Sequence, residues 1–186
     1  DVGIFTNLTR DHLDYHKTVE AYFSEKEKLF SRILKKSKKE KKYAVINLDD
    51  PYGNKIAEKI DYAELITYSL DQTKSATCFG KLNPLTNASI EMEIYYKDFS
   101  FNLKSPLIGV HNAYNILAAI SSALALGIDY QSVIKGIKEC SCIKGRLEKY
   151  ASAKNAGIFI DFAHTPDGLN SVLKTLQTLD KKIISV

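Results

Sequence analysis

Short apolar runs that pass straight into polar residues are the feature that most limits what this chain can fold into. Val2 to Thr6, Tyr43 to Asn47 and Glu64 to Ser69 are such runs. Near-continuous apolar strands are buried on both faces, which is how strands of a parallel sheet lie between layers of helix. The stretches between them read as those helices. Thr18 is a candidate N-cap for a helix running to about Leu34, with Val19, Tyr22, Phe23, Leu29, Phe30 and Ile33 as its apolar positions. Asp49-Asp50-Pro51 reads as a turn opening another helix, with proline in its first turn. The expected class is therefore α/β, a mainly parallel sheet with flanking helices.

The pattern changes after Ser69. From Thr77 to Leu107 apolar and polar residues alternate, as in Ser89-Ile-Glu-Met-Glu-Ile-Tyr95, which predicts an antiparallel β insert or flap. Helical patterning returns at His111 to Leu126 and at Tyr130 to Glu139, split by Gly127. Residues Cys140 to Lys144 form a connector. Strands at Arg146 to Tyr150 and Gly157 to Phe162, a helix from Pro166 to Leu179 and a strand from Ile183 to Val186 then predict the start of a second, Rossmann-like α/β domain. The expected division is 1–144 and 145–186. The chain starts without Met inside one strand and stops on another, so it reads as a piece of a longer protein.

Composition excludes several classes. The strongest apolar run, Ile116 to Leu126, holds two serines and falls short of the roughly 18 residues a membrane span needs, so no membrane insertion is expected. The net charge of +4 is concentrated between Lys35 and Lys42, without interleaved aromatics, and predicts no nucleic-acid partner. Three cysteines form no disulfide framework, and no signal peptide is visible, which points to a reduced, cytoplasmic setting. No P-loop is present, since Gly80-Lys81 runs into Leu82. Cys140 and Cys142 lack partners at zinc-site spacing.

Four groups of residues can carry chemistry. The loop Thr6 to His16 follows a strand directly, at the sheet edge where open α/β folds bind ligands. Arg10, Asp11, His12, Asp14 and His16 crowd into it. Imidazole with carboxylate suits a divalent metal or a phosphate–metal complex, although a solvated loop would look the same. Lys26 falls four residues after Tyr22 and four before Phe30, on the apolar face, where a lysine must snorkel, pair with an acid or be modified. Asn112 and Asn115 share a face at a helix start. Their amides suit an adenine edge, or Asn112 caps the helix. Finally, Gly145-Arg-Leu-Glu148 precedes the strand-to-helix loop Asp161 to Asp167. Asp161 and His164 there suit a ribose hydroxyl and a phosphate, helped by the helix N-terminus at Pro166. The alternative is that Thr165 or Asp167 caps the helix and His164 is simply exposed.

Thr-Asn-Leu-Thr-Arg-Asp-His-Leu-Asp-Tyr-His at 6–16, His-Asn-x-x-Asn at 111–115, Gly-Arg-Leu-Glu at 145–148 and Asp-Phe-Ala-His-Thr-Pro-Asp at 161–167 resemble, in that order, the motifs of the Mur ligase family. The nearest likeness is to its UDP-N-acetylmuramoyl-tripeptide synthetase branch. The resemblance implies the later part of a central ATP-binding domain, with the P-loop upstream, and the start of a C-terminal domain. It implies ATP and Mg2+ as cofactors, and a UDP-muramoyl-dipeptide and an amino acid, diaminopimelate or lysine, as substrates. The dipeptide's carboxylate would be activated as an acyl phosphate and then attacked by the amine. By motif position His12 would be a magnesium ligand. Lys26 would be a catalytic lysine carbamylated by carbon dioxide, holding magnesium through its carbamate. Asn112 and Asn115 would lie by the adenine, Arg146 and Asp161 by the ribose and phosphates, and His164 would act on the phosphate side. Alone, this stretch is expected to be inactive. Lys17 departs from the pattern, standing where relatives usually have glycine. Rival readings are another ligase of the superfamily, such as a folylpolyglutamate synthase, or a non-catalytic binding domain derived from one.

Overall fold

Every residue of β2 (Tyr43–Asn47) is buried, and the strand divides the interior in two. Tyr43 and Val45 point into one apolar core, Ala44 and Ile46 into the other. This is the two-sided burial that its unbroken apolar run requires. The computed structural model describes residues 1–10, 13–84, 89–150, 156–178 and 182–186. β1 (Val2–Phe5) and β3 (Glu64–Ser69) pair with β2 in parallel, with Val2 opposite Tyr43 and Tyr43 opposite Glu64. β4 (Cys78–Leu82) follows in parallel beside β3, and β5 (Ile90–Tyr96) and β6 (Phe99–Ser105) complete the sheet in antiparallel fashion. The six strands lie in chain order, β1 to β6.

The alternating segment therefore extends the main sheet rather than forming a separate flap. Its pattern explains why. Met92, Ile94, Phe101 and Leu103 continue the apolar face begun by Val45 and Ile66. On the opposite face Glu91 meets Lys104 at 2.7 Å, and Lys81 lies 3.9 Å from Glu93. Cross-strand charge pairs of this kind tolerate water.

Helices cover both faces. On one side lie α2 (Val19–Lys28) and α3 (Pro51–Ala57), capped by Thr18 and Asp50, whose side chains accept the N–H groups of Ala21 and Tyr52. A single turn, α1 (Leu13–His16), precedes α2. A π-helical stretch, Leu29–Leu34, continues α2. It corrects the expected apolar stripe: Phe30 and Leu34 are buried, whereas Leu29 and Ile33 face outward. A π turn holds more residues than an α turn, so the stripe rotates onto new positions. Phe30 and Leu34 fill the space over Gly3, where an added Cβ would lie 3.2 and 3.3 Å from them.

On the other side lie α4 (Val110–Ala125) and α5 (Tyr130–Glu139), separated at Gly127, whose φ of +82° only glycine adopts cheaply. β7 (Glu148–Tyr150) and β8 (Ile158–Ile160) then form an antiparallel pair, and α6 (Pro166–Gln177) follows. Among the described residues Ile183–Val186 is not a strand. A strand is held by pairing, and no described segment pairs with it. No helix among the described residues is long and apolar enough to cross a membrane.

Candidate active site

The carboxyl ends of β1 and β2, the first turns of α4 and the loops around β8 enclose a cleft of about 730 Å³. Its walls come from distant parts of the chain: Thr6 to Thr9 after β1, Asn47, Asp49 and Asp50 at the end of β2, His111, Tyr114 and Asn115 on α4, and Arg146 with Asp161 to Thr165. A parallel sheet exposes its strand ends to this edge, which is why polar residues directly after a strand converge there.

On the β2 side Asp49 organises the wall. One carboxylate oxygen accepts from Ser69 Oγ at 2.5 Å and lies 3.5 Å from Lys74 Nζ. The other accepts from the Leu70 N–H at 2.8 Å and from the Tyr114 hydroxyl at 2.9 Å. Tyr114 thus presents a fixed ring to the cleft. Burial and its hydrogen bond to Asp49 push its phenol well above the usual tyrosine range.

The two asparagines of α4 divide their work. Asn112 is fully buried and does not line the cleft. Its Nδ2 donates to Ile108 O at 2.8 Å, and its Oδ1 accepts from Asn115 Nδ2 at 3.3 Å. Gly109, not Asn112, is the N-cap residue. Asn115 is exposed on the cleft with its own amide oriented by Asn112. His111 also lines the cleft. Its two ring nitrogens are shielded from solvent and have no hydrogen-bond partner among the described residues. Burial lowers the pKa of the imidazole, Asp161 opposes that shift and Arg146 adds to it.

Arg146 reaches the cleft from a tight turn in which Gly145 and Leu147 both have positive φ, +68° and +46°. Glu148 accepts the Gly145 N–H at 3.0 Å, which holds its carboxyl below the usual range. Asp161 accepts the N–H groups of Leu147 at 2.8 Å and Ala163 at 2.7 Å. His164 is exposed on the cleft with Nδ1 3.0 Å from Phe162 O. Thr165 caps α6 by accepting the Gly168 N–H at 3.2 Å, and His164 is exposed, both as the capping alternative expects.

Lys26 is half-buried at the end of α2. Its Nζ donates to Asn7 O at 3.2 Å and lies 4.9 Å from the centroid of the Tyr22 ring. Asn7 lines the cleft, so the amine rests at its rim. No carboxylate with a described side chain pairs with it. His12 lies outside the described residues. Among the described residues no group of three or more His, Cys, Asp or Glu side chains is placed to hold a metal. Asn47, Asp49, Asp50, Tyr114 and His111 escaped the sequence reading as site residues. Their polar character straight after β2 and inside the helix-start motif was the available signal.

The sequence model of the Mur ligase middle domain matches residues 1–123. The chain belongs to the Mur ligase family. A Mur ligase of Geobacter metallireducens, UDP-N-acetylmuramoyl-L-alanyl-D-glutamate--2,6-diaminopimelate ligase, is 38% identical over 177 residues, covering 95% of this chain and 34% of the relative. A solved structure of a ligase of the same name is 33% identical, with a TM-score of 0.74 over 96% of this chain and 36% of that one. The MurF ligase of Thermotoga maritima in complex with ADP shares the fold, with a TM-score of 0.74 at 22% identity over 95% of this chain and 39% of that one. The chain thus spans about a third of the length of the curated relatives it matches.

Proposed function

We propose that residues 1–144 are the later part of the central ATP-binding domain of a Mur ligase, and 145–186 the start of its C-terminal domain. The complete enzyme would join an amino acid to UDP-N-acetylmuramoyl-L-alanyl-D-glutamate at the expense of ATP. The observation that carries this reading is the cleft, where Asn115, Arg146, Asp161 and His164 meet the loop after β1. The relatives' names carry diaminopimelate, so it is the first amino acid to test, with lysine second.

In this reading Asn115 offers a donor and an acceptor to the adenine edge, beside the braced ring of Tyr114. Asn112 acts one step behind, orienting Asn115. Arg146 is aimed at phosphate oxygens by a turn that Asp161 holds, and its planar fork suits them. His164 stands on the phosphate side, at the mouth of α6, whose N-terminus favours anions. The dipeptide's carboxylate attacks the γ-phosphorus and ADP leaves. The amine then attacks the acyl carbon and expels phosphate.

His12 and Lys26 are the residues that would hold Mg2+, which supplies charge neutralisation of the transferring phosphoryl group. Lys26 suits the task only as a carbamate. The ammonium first gives up one proton; the free amine then adds to carbon dioxide and loses a second, turning a cation into an oxygen-bearing anion. The position of the amine at the rim, against Asn7 O, supports this. A reaction drawing on ATP and a UDP-linked precursor belongs in the cytoplasm. Residues 1–186 alone, without a P-loop, are expected to be inactive.

Phosphate release by the full-length protein tests the reading, with the UDP-muramoyl-dipeptide and either amino acid. Release that requires the amino acid and collapses in Lys26→Ala is expected. No release with either amino acid would turn the reading toward another ligase of the family or a binding domain.

A further inference from the structure

Three consecutive main-chain positions after β1 are each held by a side chain from elsewhere in the sequence. Thr6 O accepts from Asn47 Nδ2 at 2.7 Å. Asn7 O accepts from Lys26 Nζ at 3.2 Å. The Leu8 N–H donates to Asp50 Oδ2 at 2.7 Å. Asn47 and Asp50 are only 5% and 9% exposed. Neither has freedom to turn. Asn47 Oδ1 accepts the Asp49 N–H at 2.9 Å, and Asp50 Oδ1 accepts the Tyr52 N–H at 2.8 Å while capping α3. Their platform is tight as well: a Cβ on Gly53 would stand 1.9 Å from Asn47 O.

Lys26 differs from its neighbours in this set. It sits on a long stem with many rotamers, whereas the asparagine and the aspartate are short and locked. The carbonyl it uses lies between the two locked positions. We propose that Asn47 and Asp50 are positioning residues. They fix Thr6 and Leu8 so that the Asn7 carbonyl receives the Lys26 amine and keeps it at the rim of the cleft. This proposal rests on the reading of Lys26 as a working lysine of the ligase. The pair acts through the loop and touches no substrate. It also explains why two polar side chains are buried next to β2: a loop with no regular pairing must have its main-chain groups satisfied by side chains.

The test reads the amine directly. Full-length protein in carbon dioxide-free buffer is acetylated with limiting acetic anhydride, and each lysine is followed by mass spectrometry. Freed from its carbonyl, Lys26 should acetylate roughly fivefold faster in Asn47→Ser, the effect of losing one hydrogen bond of ordinary net strength. Asp50→Asn should act in the same direction, because its amide cannot accept the Leu8 N–H in the same place. Lys81, on the far strand β4, should not change. Asn54→Ala is the control for general loosening. It breaks the bonds from Asn54 Nδ2 to Leu48 O and Asp50 O, at 3.0 and 3.2 Å, without touching the loop. An equal rise in Asn54→Ala, or no rise in Asn47→Ser and Asp50→Asn, overturns the proposal. Wild-type protein that labels as expected but releases no phosphate keeps the positioning pair and ends the ligase reading. Ligation with Lys26 labelling indifferent to both variants does the reverse.

Discussion

Asp161 holds Leu147 across the cleft's far wall: one carboxylate oxygen accepts the Leu147 N–H at 2.8 Å while the other accepts that of Ala163 at 2.7 Å. Leu147 has a φ of +46° and is buried. A side chain other than glycine pays for that conformation, so it persists only where neighbours impose it. Asp161 is one such neighbour, and the product of the turn is the direction of Arg146. Asp161→Asn leaves one acceptor and sets an amide N–H against a main-chain N–H. The expected cost is about 1–3 kcal/mol, spent locally in the turn. Amide hydrogen exchange of Leu147 should speed up while β2 amides stay protected. Nucleotide affinity of the full-length enzyme should fall with it, and Arg146→Ala should lower that affinity without affecting the Leu147 amide.

Lys17 has a φ of +65°, and the Thr18 N–H bonds back to His16 O at 2.8 Å, closing a γ-turn around it. This tight form is strained, and the left-handed region costs an L-residue roughly 1–2 kcal/mol. Glycine removes that cost but loses about 0.5–1 kcal/mol of chain entropy. The backbone share of Lys17→Gly should therefore be neutral to stabilising, by up to about 1.5 kcal/mol, less whatever the lysine side chain contributes. Thermal unfolding of the full-length protein checks it. A clear loss of stability would mean that the lysine side chain supplies more than its backbone forfeits.

Asn112 and Asn115 separate structure from binding. Asn112→Ala leaves the Ile108 carbonyl without its buried donor and opens a small cavity, at a cost of about 2 kcal/mol. Asn115 is exposed, so Asn115→Ala should change stability by less than about 0.5 kcal/mol. Nucleotide titration of the full-length enzyme should rank them the other way at a temperature where both are folded. Asn115→Ala is expected to weaken binding directly. A nucleotide affinity unchanged in Asn115→Ala would remove it from the base site.

The parts of the fold legible in the sequence are those set by local period. The residue bounds of β2, β3 and α5 follow from unbroken or 3.6-residue apolar patterns and their caps. The parts that were not legible depend on partners. The β5–β6 hairpin joins the main sheet because its apolar face matches that of β3 in space, which no local pattern encodes. The π stretch keeps the expected Phe30 buried but turns Leu29 and Ile33 outward and brings in Leu34, because the ring of Phe30 and the side chain of Leu34 meet Gly3. Of the residues that line the candidate cleft, the motifs exposed Asn115, Arg146, Asp161 and His164. They hid Asp49 and Asp50, whose role comes from bonds 42 to 65 positions away in sequence.

The imidazole of His111 has its pKa lowered, and the sign of its effect follows from burial. A Cβ on Gly109 would stand 2.8 Å from the His111 ring and 2.9 Å from Thr175 of α6, so the start of α4 is packed closely on both. Asp161 and Arg146 are the charged groups acting on it, in opposite directions, and Tyr114 shares the same cleft wall. Burial dominates and depresses the pKa below the ordinary 6.5. Below pH 6.5 the unfolded chain therefore binds more protons at this position than the folded one, and stability rises with pH. The contribution is fully present above pH 6.5 and is lost as the pH falls toward the depressed value. His111→Leu removes the titration and two unpartnered nitrogens at similar volume. Chemical denaturation of the full-length protein between pH 5.5 and 7.5 should show a shallower fall for the variant than for wild type. At pH 7.5 the variant should be as stable as wild type or more so, because an apolar replacement of a buried unpaired polar group is close to neutral or favourable. An identical pH profile for the two would place the imidazole in water.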